Sequence, residues 1–287
     1  MAAGASSAIA QVSLWQVLIQ RRTVLIGLII LAVIGLAAIF APLIAPYEPN
    51  AMSIRDRLTP PGGQFLLGSD EFGRDVFTRA IYAGRVSLSV GLGTAVLASL
   101  FGVVLGLLGG FFRRLDGPVS RLIDAMMAFP DILLAIALVA ALGGSLFNVI
   151  LALSIVYAPR IARVVRASTL VIRELPYVEA ARALGVSTPN ILVHHILRNI
   201  VSQLIVQATF IFAYAMLAEA GLSFLGVGVD PSTPTWGTMI NAGRAFVGTA
   251  DWLILVPGAA IVLCVLSLQI AGDGLRDALD PRLAKEV

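Results

Sequence analysis

The residues of this chain that could do chemistry are few, and they suit binding and pushing rather than bond breaking. In the stretch Arg173–Ile200, Glu179 and Arg182 offer one charge of each sign to a partner. Ala180, Ala181 and Gly185 beside them are small enough to let a second surface come close. Chemistry of other kinds lacks its residues. Cys264 is the only cysteine and sits in an apolar run, which excludes a disulfide, a metal cluster or a CxxC motif. His194 and His195 are the only histidines, and neighbours on a helix point in different directions, so no metal site is expected. No GxSxG, HExxH or Walker A GxxxxGK[ST] is present.

A second set of polar residues lies inside apolar runs. Asn148, Gln203, Gln207 and Tyr214 are candidates to line a pathway, with Gln203 and Gln207 at i,i+4 on one helical face. The same groups could instead hydrogen-bond between helices. Asp131 is the deepest acid, and Glu219 lies at the border of a span. Asp131 reads either as pathway lining or as an acid that fixes two helices. The second reading is favoured, because one isolated acid without a deep basic partner makes no relay.

These residues are carried by a chain built for lipid. Of its 287 residues 58% are hydrophobic and 13% charged, against about 25% charged in a soluble domain. The net charge of +3 does not form a basic block with interleaved aromatics, so nucleic acid is not an expected partner. The fold class expected is an all-α integral membrane protein with six transmembrane helices.

The chain divides into a cytoplasmic segment 1–22, a first span 23–45, an external segment 46–85, a five-helix core 86–273 and a cytoplasmic tail 274–287. The first span, at 23 residues, is longer than a signal-peptide core. It would reach about 35 Å, enough for a hydrocarbon layer of about 30 Å. Before it, Trp15, Leu18 and Ile19 follow the spacing of a helix lying on the membrane surface, or else belong to a mobile tail. In the external segment, Ser69-Asp70-Glu71 reads as the start of an interfacial helix bearing Phe72, Val76 and Ala83 on its apolar side.

Five further spans are expected: Val86–Gly110, Leu122–Leu142 with a kink at Pro130, Phe147–Ile161, Ile200–Leu217 and Trp252–Ala271. Gly102 and Gly106 form a GxxxG that lets two backbones approach. Arg160, Arg163 and Arg166 step along one face into the cytoplasm.

Between the fourth and fifth spans, Arg173–Ile200 is too polar to cross a membrane. Pro176 suits the first turn of a helix. Glu179 to Leu184 are good helix formers, and Gly185 supplies a left-handed stop. Thr188-Pro189 restarts the chain as a cap followed by a first-turn proline. Six spans put both termini on one side. That side then holds 14 of the basic residues and the other side six, which places Arg173–Ile200 in the cytoplasm.

The segment Glu179-Ala180-Ala181, with Gly185 after three intervening residues, resembles the EAA loop of ABC-importer permeases. Leu67–Gly91 (LGSDEFGRDVFTRAIYAGRVSLSVG), Gly221–Ile240 (GLSFLGVGVDPSTPTWGTMI) and Gly272–Leu283 (GDGLRDALDPRL) resemble the C-type subunit of the dipeptide/oligopeptide/nickel branch. The resemblance runs from Trp15 to the tail. It departs at Ile196-Leu197-Arg198-Asn199, where the family usually has Ile-Leu-Pro-Asn, and loss of that proline predicts a more continuous helix into the fifth span.

The resemblance implies a type I ABC-importer permease fold in a bacterial or archaeal plasma membrane. It implies a second, B-type permease subunit, two cytoplasmic ATPases that bind ATP and Mg²⁺, and an external solute-binding protein. Glu179, Ala180, Ala181, Arg182 and Gly185 would form the coupling helix seated on one ATPase. This chain would then be no enzyme and hold no cofactor. Relatives in the branch handle di- and oligopeptides, nickel chelates, glutathione-like compounds and opines. The rival class is a secondary transporter or channel, which would show paired discontinuous helices, an inverted repeat or intramembrane ion pairs.

Overall fold

The computed structural model describes residues 22–279. The surface helix expected around Trp15, and residues 280–287 of the tail, lie outside them. Among the described residues five helices are long and apolar enough to cross a membrane, or six if one bent pair counts as a span. There is no sheet among them, only isolated bridges at Gly62–Phe65 and Ser69–Asp75.

Helix α1 (Arg22–Ile39) leads into a short α2 (Ala41–Ile44) with Pro42 in its first turn. The separate interfacial helix expected from Ser69 does not form. Residues 69–75 instead make a compact turn around Asp70. Its Oδ1 accepts from the backbone N–H of Phe72 and Arg74, both at 2.9 Å, and its Oδ2 accepts from Arg74 Nε at 2.6 Å. Asp75 is the true cap, accepting from Thr78 N at 2.8 Å. From it α3 (Val76–Phe111) runs unbroken, so the boundary drawn between residues 85 and 86 falls inside one helix. Asp70 spends its carboxylate on the turn, and the acid nearest the apolar run becomes the cap.

The next span differs more. A single kinked helix was expected over Leu122–Leu142. The chain forms α4 (Arg113–Met127) and α5 (Asp131–Leu142), bent by 94° across Ala128–Pro130. Proline disfavours helical backbone in the residue before it, so the helix stops rather than bends. Pro130 caps α5 from an extended conformation, and Asp131 fills the acidic first turn. At 12 residues α5 is about 18 Å long, about three-fifths of the hydrocarbon thickness.

Helix α6 (Leu146–Ile172) continues well past Ile161, carrying Pro159 inside it. It packs parallel to α3 along Gly102, Gly106 and Gly110. A Cβ at these positions would lie 2.6, 2.5 and 2.5 Å from Ile161, Val165 and Thr169. The GxxxG seen in the sequence is thus two-thirds of a three-glycine seam, and it brings backbones together as small residues do in lipid. Because α3 and α6 run in the same sense, the α4–α5 pair between them must return the chain across the layer.

Helix α7 (Pro176–Ala183) precedes α8 (Thr188–Phe224), whose segment Ile191–Leu197 is a π-helix that passes directly into α-helix at Arg198. Here the helix is continuous, as the missing proline predicted. Its cap is Ser187 rather than Thr188, and it ends at Phe224 rather than Leu217. Helix α9 (Trp236–Gly243) is held by a Thr235–Thr238 capping box. Helix α10 (Trp252–Leu279) runs beyond residue 273, so the tail boundary also falls within a helix.

Two apolar cores hold the bundle: one joins α3, α5, α6 and α8, the other α3, α8, α9 and α10. Between them Glu219 is fully buried. Its carboxylate accepts from Ser223 Oγ at 2.8 Å and Ser87 Oγ at 3.4 Å, and Ser87 Oγ accepts from Trp236 N at 3.3 Å. This border acid is a knot between α3, α8 and α9, its hydrogen bonds meeting what a buried polar group requires.

Candidate functional site

The stretch that ends α7 is built as its prolines and glycine predict. Pro176 occupies the first turn, and Gly185 takes φ +78°. Val186 N donates to Ala181 O and Gly185 N donates to Arg182 O, both at 3.0 Å, which is a Schellman stop. Val178 and Ala181 are buried against Ile191 and Ile196 of the π-segment. Glu179, Ala180, Arg182 and Gly185 are exposed. Ala181 is buried, and its small size lets α7 seat closely on α8. Arg182 is half committed, with its guanidinium 4.7 Å from the Phe111 ring centre. Arg173 Nη1 donates to Gly110 O at 2.6 Å, bracing the loop on the C-terminus of α3. Leu184, which the sequence reading passed over as a helix former, is 83% exposed beside Gly185. A large apolar side chain directly before a glycine helix stop was the available signal.

The second arrangement lies along α6 and α8, which run antiparallel. Ser168 Oγ donates to Gln203 Oε1 at 2.6 Å. Gln203, Gln207 and Tyr214 follow one face of α8. Asn148 is elsewhere, its Nδ2 donating to Leu142 O at 2.6 Å and Gly143 O at 3.1 Å to close the turn between α5 and α6.

Facing this stripe is a ladder that the sequence did not disclose. Arg160, Arg163 and Arg166 of α6 pair with Asp131, Asp124 and Asp116 of the broken helix. The Arg163–Asp124 and Arg166–Asp116 contacts are 2.8 and 2.6 Å. Asp131 thus has a deep basic partner after all. The expectation that it lacked one fails because Arg160 was assigned to the cytoplasm when α6 was drawn too short. Tyr157 and Tyr214 flank the same guanidinium at 5.3 and 5.2 Å. The periodic arginines were visible in sequence; their acids, 29 and more positions away, were not.

An all-helical bundle with apolar outer faces, one polar face along two spans and a capped loop helix between them defines an integral membrane transport subunit. Residues 98–285 match the model of the family described as binding-protein-dependent transport system inner membrane component. Residues 12–61 match the N-terminal transmembrane domain of oligopeptide transport permease C. The chain is 44% identical to the di/tripeptide transport system permease protein DppC of Pseudomonas aeruginosa, covering 94% of this chain and 91% of that one. It is 44% identical to the dipeptide transport system permease protein DppC of Alkalihalophilus pseudofirmus, over 92% and 87% of the two chains. It is 40% identical to the glutathione transport system permease protein GsiD of Pectobacterium atrosepticum, over 92% and 88%. The chain belongs to the family of binding-protein-dependent transport system inner membrane components, and it is a multi-pass permease subunit. Family membership settles the rival reading. One broken helix and one deep ion pair, marks set down for a secondary transporter, occur here within an ABC permease.

Proposed function

We propose that this chain forms half of the translocation pathway of an ATP-driven importer of short peptides. One observation carries the reading: the face shared by α6, α8 and the broken helix carries Arg160, Asp131, Gln203, Gln207 and Tyr214 within helices that pass as membrane spans. Polar and charged groups there are expensive in lipid and tolerable beside water. The unwound backbone at Ala128–Pro130 has the same requirement. A B-type permease subunit would close the pathway from the other side. Two cytoplasmic ATPases would bind ATP and Mg²⁺ and hydrolyse the nucleotide, and a solute-binding protein would deliver cargo. Relatives named for dipeptides, di/tripeptides and glutathione support peptides and peptide-like compounds as cargo.

Coupling is assigned to Glu179, Ala180, Arg182 and Gly185 on the outer face of α7, with Leu184 as an apolar contact. The packing of α7 against the π-segment supports this, because a push on α7 is delivered straight into α8. Basic residues concentrated on the α7 side support a cytoplasmic position for both termini. The test is reconstitution in proteoliposomes. Peptide should accumulate only when both permeases, the ATPases, the binding protein and ATP are all present. Import by this chain alone would sink the reading.

A further inference from the structure

Arg160 occupies a place that a structural brace does not need. It lies near the midpoint of α6, inside a helix long and apolar enough to span, and charges within spans are costly. The break between α4 and α5 comes at the same level, because Asp131 opens α5 and pairs with Arg160. The side chains are 31% and 38% exposed, so the pair is open to the polar face. Tyr157 and Tyr214 flank the guanidinium, which favours the cation over their rings. A guanidinium carries five N–H donors. Among the described residues only Nη2 makes a hydrogen bond, to Asp131; Nε and Nη1 make none. An ion pair this open contributes little to stability, so stability alone gives little reason to keep it.

We propose that Arg160 is a specificity-determining contact of the pathway, receiving the carboxylate of a peptide in exchange for Asp131. The proposal rests on the peptide-permease reading above. A planar guanidinium with free edge donors matches a carboxylate with two hydrogen bonds. Asp131, released, then faces the ammonium group that a free peptide also carries. The exchange leaves the net charge of the site unchanged, since one ion pair is replaced by two. Gln203 and Gln207, further toward α7 on the same face, offer neutral hydrogen bonds along the exit.

The test uses the complete complex in proteoliposomes with its binding protein. Import of radiolabelled alanyl-alanine is compared with import of its C-terminal amide, each expressed per loaded binding protein. Selection by the binding protein is common to wild type and variants, so a change in the ratio reports the permease. In the neutral pair Asp131→Asn with Arg160→Gln, the preference for the free carboxylate should fall by about tenfold. The exchanged pair Asp131→Arg with Arg160→Asp should not restore it. Equal loss of both peptides, or no change in the ratio, would overturn the proposal, as would full rescue by the exchanged pair, since a brace is indifferent to which side bears which charge. If the wild-type complex imports neither peptide, the permease reading itself has failed; an unchanged ratio with active import refutes only the role of Arg160.

Discussion

Two exposed faces of this molecule cross the same layer and have opposite chemistry. One, on α1 and α10, presents Ile26, Ile29, Val33 and Leu36 beside Leu255, Val262, Leu263 and Leu266. The other, on α6, α8 and the broken helix, presents arginine, aspartate, glutamine and tyrosine. Both faces are open, the polar one less so, and it is their chemistry that separates them. The first is suited to hydrocarbon and the second to water or cargo. In a membrane protein the functional face is therefore recognised by what it could not do in lipid.

That contrast can be broken most directly by placing one charge on each face. Val33→Asp should cost about 3 kcal/mol of insertion energy and lower the membrane-inserted yield. Gln207→Asp should leave insertion nearly unchanged. Equal yields, measured by quantitative immunoblot of membrane fractions, would mean that the two faces meet the same medium. Next in size is the α7 loop, proposed above to couple to an ATPase. Glu179→Lys should reduce peptide import about a hundredfold while leaving the chain in the membrane. Normal peptide-stimulated ATP hydrolysis by that complex would remove α7 from the coupling role.

A third probe addresses the seam between α3 and α6, which holds the polar face in place. A side chain at Gly106 would meet Val165 Cβ at 2.5 Å and Ala162 O at 2.7 Å. Gly106→Val should destabilise the bundle by about 1–3 kcal/mol, read as a lower midpoint in detergent thermal melts. An unchanged midpoint would show that the seam can open.

The smallest effect separates backbone from surface at Gly185. A Cβ there meets nothing within 4 Å, so only the left-handed φ opposes a side chain. Gly185→Ala should cost about 1 kcal/mol of loop stability. Gly185→Asn, which tolerates that conformation, should cost less yet still reduce import through its bulk at the docking face. If the asparagine variant imports peptide normally, Gly185 serves the turn alone.

What could be read in advance follows from range. The spans announce themselves by apolar runs, and the α7 loop by Pro176 and Gly185, because these are local properties of the chain. Span ends were harder. Pro159 lies inside α6, while Pro130 marks a break rather than a kink. Both lie in apolar sequence, and the packing around each decides which occurs. The Asp70 turn was mistaken for a helix start because a carboxylate that caps a turn and one that caps a helix look alike in sequence.

By itself the sequence determined that this protein lives in a membrane and that its Arg-rich side carries a helix–turn–helix between spans. Local hydropathy, charge bias and helix punctuation suffice for each. Only the tertiary structure decided that Arg160 meets Asp131, that the third span is broken at their level, and that Gln203 and Tyr214 share their face. Those facts depend on helices running parallel or antiparallel after long returns, and an ion pair between distant positions leaves no local trace.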